Sequence, residues 1–381
     1  MTLIKNGKIL TMAGEVIENG EILIQDNKIV KVGKNINIPE NCNVVDAEGG
    51  YVTPGFIDAH CHIGLFEQDM GFEGEDGNEI TDPTTPQLRA IDAINPMDSA
   101  FKEAYENGVT CVCTGPGSAN VLGGTFAIIK TKGIRIDNMI VKENAAMKCA
   151  FGENPKRCYD AKKQSPSTRM ATASILRESL MKAKDYLDKK ENGENKPAFD
   201  MKMEALIPVL KKEIPLKAHA HRADDIFTAI RIAKEFDVNL TLDHCTEGHL
   251  IADELAKENF NAIVGPTFGF RTKIEVKNKT FETLKVLKDA GVKFAIMTDH
   301  PVIPLENLPL CAALGVKAGL DEETALKAIT INAAEILGIQ DRVGSIEEGK
   351  DADIAIFDKH PFDLQASTKY VFIDGEMVYG K

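Results

Sequence analysis

Positive charge and long apolar runs are what this sequence has least of. Its 381 residues carry 45 lysines and arginines against 58 aspartates and glutamates, a formal net charge of −13. A nucleic-acid partner asks for a basic face that neutralises phosphates. No basic block beside an aromatic and no RNA- or DNA-binding motif occurs, so nucleic acid is not an expected partner. No apolar run reaches bilayer length, and Met1-Thr2-Leu3-Ile4-Lys5-Asn6-Gly7 turns polar too early for a signal peptide. No membrane partner is expected, and the location expected is cytoplasmic. There is no internal repeat and no low-complexity stretch. The eight cysteines do not read as a disulfide framework, because so long a chain does not need one. Several of them (Cys61, Cys111, Cys113, Cys149, Cys245) fall in or beside buried-strand patterns and are expected as reduced, inert thiols. Cys111 and Cys113 lack the spacing of a redox or zinc-ribbon pair.

Histidine is scarce as well, with eight in the chain, which makes its placement informative. His60 and His62 close the run Gly55-Phe56-Ile57-Asp58-Ala59, His219 and His221 close Ile214-Pro215-Leu216-Lys217-Ala218, and His244 closes Val238–Asp243. Asp299 follows Val292-Lys293-Phe294-Ala295-Ile296-Met297-Thr298. Residues two apart in a strand share a face, so each His-x-His pair can chelate. Imidazoles and a carboxylate at the carboxyl ends of barrel strands are what a divalent metal site requires. Buried without a shared cation, each ring needs its own partner or costs roughly 1–3 kcal/mol.

The length fits one large core with a smaller appended domain. Residues 1–50 read as short strands, among them 8–12, 16–17, 21–24 and 28–32, with turns at Asn6-Gly7 and Asp26-Asn27. Residues 346–381 read the same way, with strands at 352–357, 369–373 and 377–379. Neither end has a core of its own, and packing the two together gives one small β domain. Between them, 51–345 alternates strand-like and helical runs; helices are expected over 170–189, 201–212, 224–235, 247–258, 280–290 and 321–337. The expected architecture is α/β: a distorted (β/α)8 TIM barrel with a small β-sandwich domain formed by both chain termini. The acidic segment 64–98, rich in Gly and Pro, sits where a lid would.

Two stretches carry a family resemblance. Val52-Thr53-Pro54-Gly55-Phe56-Ile57-Asp58-Ala59-His60-Cys61-His62 resembles the first-strand signature of the amidohydrolase superfamily. So does the closing stretch Thr330-Ile331-Asn332-Ala333-Ala334-Glu335-Ile336-Leu337-Gly338, followed by Gly344–Asp353. The likeness is greatest to the imidazolonepropionase-related and prolidase-like branch. It implies a distorted barrel with a β domain from both termini, His60 and His62 as first-strand ligands, His219 as the fifth-strand ligand, His244 as the sixth and Asp299 as the eighth-strand carboxylate. It places His221 against the substrate or behind the ligands rather than on the metal. Binuclear relatives add a carboxylated lysine or a glutamate from a middle strand, and Ala145–Asn154 offers both Lys148 and Glu153. Glu153, at the strand end, needs no modification and is the expected ligand.

The expected cofactor is a divalent metal, one or two ions. Zn is the default for His/Asp ligation, and Mn, Fe or Co would suit the same donors. Such an ion brings the pKa of bound water toward roughly 7. Asp299 is then the general base and acid, with His244 and His221 completing the catalytic group. Lys156, Arg157, Arg222 and His300 are candidates for contact with the substrate, and a cationic cluster at the mouth suits a carboxylate-bearing small molecule. The expected reaction is hydrolysis of an amide C–N bond in a cyclic amide or an N-acyl amino acid or dipeptide. The alternatives are deamination of a heterocycle, in which relatives pair a His with a Glu after the fifth strand, and a non-catalytic barrel holding metal for stability. Homo-oligomers are common among such barrels, though no interface signal stands out.

Overall fold

The computed structural model describes residues 1–380 apart from 38–40, 69, 194 and 195. Its strands are β1 (Thr2–Ile9), β2 (Ile17–Gln25), β3 (Lys28–Gly33), β4 (Asn43–Asp46), β5 (Tyr51–Pro54), β6 (Phe56–Cys61), β7 (Val109–Thr114), β8 (Leu122–Lys130), β9 (Ile140–Ala150), β10 (Leu216–Ala220), β11 (Leu240–His244), β12 (Asn261–Val264), β13 (Phe294–Ile296), β14 (Ile354–Phe357), β15 (Thr368–Ile373) and β16 (Glu376–Gly380). Its helices are α1 (Ser99–Glu106), α2 (Glu153–Asp160), α3 (Arg169–Asn192), α4 (Met201–Leu210), α5 (Ala223–Phe236), α6 (Ala252–Glu258), α7 (Glu282–Asp289), α8 (Leu308–Lys317), α9 (Glu322–Ala328) and α10 (Ile331–Leu337). Among the described residues no helix is long and apolar enough to cross a membrane.

These strands form two sheets, the barrel and the small β-sandwich that the sequence predicts. The terminal sheet runs β16-β15-β14-β5-β1-β2-β3, with β4 also on β1, so strands from both ends interleave. Isoleucines from alternate positions (Ile4, Ile22, Ile24, Ile354, Ile356) make its core. Asn6-Gly7, expected as a turn, lies inside β1. Asn6 takes a left-handed φ of 56° and the register against β2 shifts between Ile4 and Gly7, so these residues make a bulge rather than a reversal. β5 takes residues 51–54 into this sheet before β6 begins the barrel.

The second sheet runs in chain order, β6 to β13. Apart from the first half of β9 and the first residue of β12, its strands are buried on both faces, as parallel strands under helices must be. β8 departs from the pattern by pairing antiparallel with both β7 and β9. No ladder joins β13 to β6 among the described residues. The gap is closed by the amide of His62 donating to the carbonyl of His300 (2.8 Å) and that of Asp299 to the carbonyl of His60 (3.3 Å). Ile57, Ala59, Cys111, Cys113, Phe126, Ile263 and Met297 fill the barrel interior. Burial pushes the thiol of Cys111 up to about 12 and that of Cys113 to about 11, so these cysteines are filler, unreactive as thiolates. Two expected helices are each broken. Residues 247–258 split into a short 3-10 turn and α6, and 321–337 splits at Ile329-Thr330 into α9 and α10.

Candidate metal centre

Strand alternation decides which side chains reach the barrel mouth, and three backbone irregularities adjust it. In β10, Leu216, Ala218 and Ala220 belong to the outer core, so Lys217 and His219 point inward and His221 continues the row. In β6, Ile57 and Ala59 face the interior, which by simple alternation would send His60 outward. The register against β7 shifts between Asp58 and Cys61, and Cys61 lies in the outer core. That irregularity turns His60 and His62 inward. In β11, Leu242 faces outward, and His244 would follow it. Left-handed backbone at His244 (φ 71°) and Cys245 (φ 46°) turns the ring back to the mouth. Asp299 sits at φ 55°. Non-glycine residues held there carry a conformational cost that clusters at functional sites.

The result is two triads. His60, His62 and Asp299 bring their ligand atoms within 4.8 Å of one another, and so do His219, His221 and His244. Asp299 Oδ1 lies 3.4 Å from His60 Nε2 and 3.2 Å from His62 Nε2. The second triad's rings are 4.2 to 4.7 Å apart between centroids. The triads adjoin through His60 and His244, whose centroids are 5.5 Å apart.

In four of the five rings the outer nitrogen, Nδ1, has a hydrogen-bond partner. His62 Nδ1 donates to the Gly115 carbonyl (2.6 Å) and His244 Nδ1 to that of Gly265 (2.8 Å). A carbonyl only accepts, so each ring carries its proton on Nδ1 and leaves Nε2 with a free lone pair, the form a metal takes. His60 Nδ1 meets Asp243 Oδ2 at 2.5 Å, and His221 Nδ1 meets Thr246 Oγ1 at 2.7 Å. Nδ1 of His219 is buried with no partner among the described residues. Burial lowers the pKa of His219 and His244 well below the usual imidazole value and that of His221 to about 3, so these rings are neutral. Burial opposes ionisation of Asp299, yet its pKa lies well below the carboxylate range. With neutral rings turning Nε2 lone pairs toward Oδ1, the charge that would favour the carboxylate is a cation shared among them. Neutral imidazoles crowded together with an ionised carboxylate and an orphaned ring nitrogen fit divalent cations.

Buried charges that the sequence reading did not single out hold this set in place. Asp58 accepts from the Thr298 amide (2.9 Å), the Thr298 hydroxyl (2.6 Å) and the His60 amide (3.0 Å), tying the turn before Asp299 to the first strand. Burial raises it to about 7 against those bonds. Asp243 sits between His60 and Lys217, whose Nζ is 3.2 Å away and donates to the Ala59 carbonyl at 2.9 Å. Strand parity is the signal for Lys217, which shares the inward row of β10 with His219. Asp243 faces inward by alternation with Leu242, and its neighbour His244 gives no such cue.

Several expected positions differ. Glu153 does not join either triad. Strand β9 ends at Ala150, Gly152 turns the chain at φ 79°, and Glu153 opens α2 with its amide donating to Glu275 Oε2 at 2.8 Å. Lys148, two residues along the inward row from Ala146, is the group that arrives, with Nζ 3.5 Å from His60 Nε2. His221 stands in the second triad beside His219, not apart from it. Arg157 is exposed on α2, and Arg222 is held by Asp224 at 2.9 Å through two nitrogens. His300 is buried and accepts the Leu305 amide at Nδ1 (3.2 Å). Neither these residues nor Lys156 line the cavity over the triads.

That cavity, about 330 Å³, is lined by His62, His219, His221, His244 and Asp299 together with Phe66, Phe270, Val276, Lys273 and Lys279. Lys273 binds Glu275 at 2.6 Å and Asn154 Oδ1 at 2.8 Å. Both lysines come from the segment after β12, where Phe268-Gly269-Phe270-Arg271-Thr272-Lys273 mixes aromatic and basic residues at a strand's carboxyl end. The rule that singled out the histidines, applied to this seventh strand, would have found them.

Comparison with known proteins agrees with the geometry. A solved amidohydrolase from Thermotoga maritima MSB8 is 46% identical, covers 100% of both chains and superposes with a TM-score of 0.97. Amidohydrolase tasK from Hapsidospora irregularis is 29% identical over 93% of this chain, which spans only 39% of that protein's length. A dihydroorotase from Caldicellulosiruptor saccharolyticus is 24% identical over 94% of this chain and 89% of its own. The amidohydrolase family model matches residues 51–378, from β5 through the barrel and back into the terminal sheet. The chain belongs to the amidohydrolase family.

Proposed function

We propose that this protein hydrolyses an amide C–N bond in a small molecule, a cyclic amide or an N-acyl amino acid or dipeptide, within the imidazolonepropionase-related and prolidase-like branch. The observation that carries the reading is the meeting of two ligand triads beneath one cavity, with Asp299 both in a triad and on the cavity wall. His60, His62 and Asp299 would hold one ion and His219, His221 and His244 a second, and Lys148, 3.5 Å from His60 Nε2, would supply a further ligand as its carbamate. Zn is the first candidate, and Mn, Fe or Co suit the same donors. Bound there, divalent ions bring the pKa of water toward roughly 7 and polarise a carbonyl.

The chain's own groups do the rest. Asp299 is held ionised and directs Oδ1 toward His60 and His62. From this place it accepts the proton of the attacking water and returns it to the leaving nitrogen. Asp243 and the carbonyls of Gly115 and Gly265 fix the ring orientations, so the donor set is formed before substrate arrives. Phe66, Phe270 and Val276 make the apolar wall against which a substrate body packs. Eight unpaired cysteines suit a reducing, cytoplasmic setting.

One observation favours a deaminase as the second reading. Glu275 Oε1 lies 3.6 Å from both His219 Nε2 and His221 Nε2, a carboxylate beside the fifth-strand histidines. Burial raises its pKa, but the ammonium of Lys273 at 2.6 Å and the Glu153 amide outweigh burial and favour the carboxylate, a poor state for protonating a ring. The test is anomalous scattering at the metal edges, followed by turnover of N-acyl amino acids, dipeptides, lactams and aminated heterocycles at pH 7–8. Amide cleavage supports the reading. Ammonia release confined to heterocycles would install the deaminase instead, and metal without any turnover would leave a non-catalytic barrel.

A further inference from the structure

The cavity wall carries two ammonium groups in different electrostatic circumstances. Lys273 is neutralised by the buried carboxylate of Glu275 at 2.6 Å. Lys279 has no carboxylate within ion-pair distance among the described residues. Its Nζ lies against three carbonyl oxygens, of Phe270 (3.0 Å), Gly269 (3.2 Å) and Phe268 (3.4 Å). Those are dipoles without net charge. Arg271 lies close by, donating Nη2 to the Lys279 carbonyl at 2.9 Å, and among the described residues it too has no carboxylate within ion-pair distance. In a protein of net charge −13, a cavity edge with uncompensated positive charge is an exception. Beside it Phe270 is 91% exposed and Phe268 46%. An aromatic so exposed at a cavity mouth is a surface waiting for an apolar ligand.

We propose that Lys279 selects substrates bearing a carboxylate, in molecules whose apolar body rests on Phe270 and Val276. The assignment rests on the amide-hydrolase reading for what happens next, but not for the binding itself. Lys279 ties the 268–270 loop through the carbonyls and offers its remaining charge to the ligand. An N-acyl derivative of an apolar amino acid meets both demands, with its free carboxylate toward Lys279 and its amide toward Asp299.

Titration calorimetry of the metal-loaded protein with N-acetyl-L-phenylalanine and N-acetyl-L-phenylalaninamide separates charge from shape. The native chain is expected to bind the acid at least ~10-fold more tightly than the amide, the value of one charge-assisted contact. In Lys279→Gln that ratio falls toward one, while Lys279→Arg retains it. A clamp that only holds the loop would weaken both ligands together in Lys279→Gln and leave their ratio intact, and that result overturns the assignment. So does a native chain with no preference. Turnover of the same pair is read separately. Preference for the acid without hydrolysis of either would remove the N-acyl amino acid from the proposed function and leave Lys279 standing. Hydrolysis of both with no preference would do the reverse.

Discussion

The amine of Lys148 stands 3.5 Å from Nε2 of His60, and both side chains are wholly buried. Two cations do not share such a place. Burial brings the pKa of Lys148 down to about 8, and burial and Lys148 itself lower that of His60. On the proposed function, this buried, readily neutral lysine beside the first triad would be the one to form a bridging carbamate. Lys148→Met keeps the volume and removes the nitrogen. The expected outcome is loss of one ion per chain by elemental analysis and a fall in amide turnover of at least ~10–100-fold. Glu153→Gln, in contrast, should keep the full metal content. Two ions in Lys148→Met would rule out the bridge.

The same amine sets a pH dependence. Carbamate formation joins a neutral amine to carbon dioxide and releases a proton, so it needs the deprotonated form. With a pKa of about 8, the neutral fraction rises as pH rises through that value, and each unit below it cuts the fraction about tenfold. Metal-stripped protein supplied with Zn and bicarbonate should therefore regain activity more slowly at pH 7 than at pH 8.5, with dissolved carbon dioxide held constant. Equal rates at the two values would count against carbamate formation at Lys148.

For Asp299, asparagine is the informative replacement. The backbone there is left-handed, at φ 55°, a conformation that Asn tolerates as Asp does. Asp299→Asn should keep its circular dichroism spectrum while kcat falls by ~10²–10⁴. Activity within a few-fold of the native value would remove Asp299 from proton transfer.

How far the site could be read from the sequence follows from what fixes each residue. His219 and His221 were legible because β10 is regular and period two places them together. His60 and His244 reach the same mouth against simple alternation, one through a register shift and one through left-handed backbone. A motif located them; periodicity would not have. Glu153 was misplaced because the turn at Gly152 decides where the strand stops, and strand ends are set by backbone conformation more than by composition. The expected carboxylate-binding cluster failed for a different reason. Arg157 and Arg222 follow ligand strands closely in sequence, but local helices and Asp224 hold them elsewhere, whereas Lys273 and Lys279 come from a strand that donates no metal ligand. The β domain was clear in outline because strands from both termini had no separate core. Its Asn6-Gly7 bulge was not, since the same residue pair serves turns and left-handed bulges alike.

The joint between barrel and terminal sheet makes the last prediction. Lys130, at the end of β8, is 4% exposed and reaches Asp353 at 2.7 Å, Asp351 at 3.2 Å and Asp374 at 3.2 Å. Asp351 has other cations, Arg342 at 2.8 Å and Lys28 at 2.6 Å. Asp353 is buried, and among the described residues Lys130 is the cation within ion-pair distance of it. Removing one partner of a buried pair strands the other charge, at a cost of about 3–5 kcal/mol. Lys130→Met should therefore lower the urea midpoint markedly without changing metal content, because the cluster lies apart from both triads. Adding Asp353→Asn removes the stranded charge and should restore part of the loss, which Asp351→Asn, with two cations left unpaired, should not. A Lys130→Met midpoint equal to the native one would show that the two sheets are held together by their apolar contacts, such as the stacked rings of Phe56 and Phe357 at 5.6 Å, without help from this ion cluster.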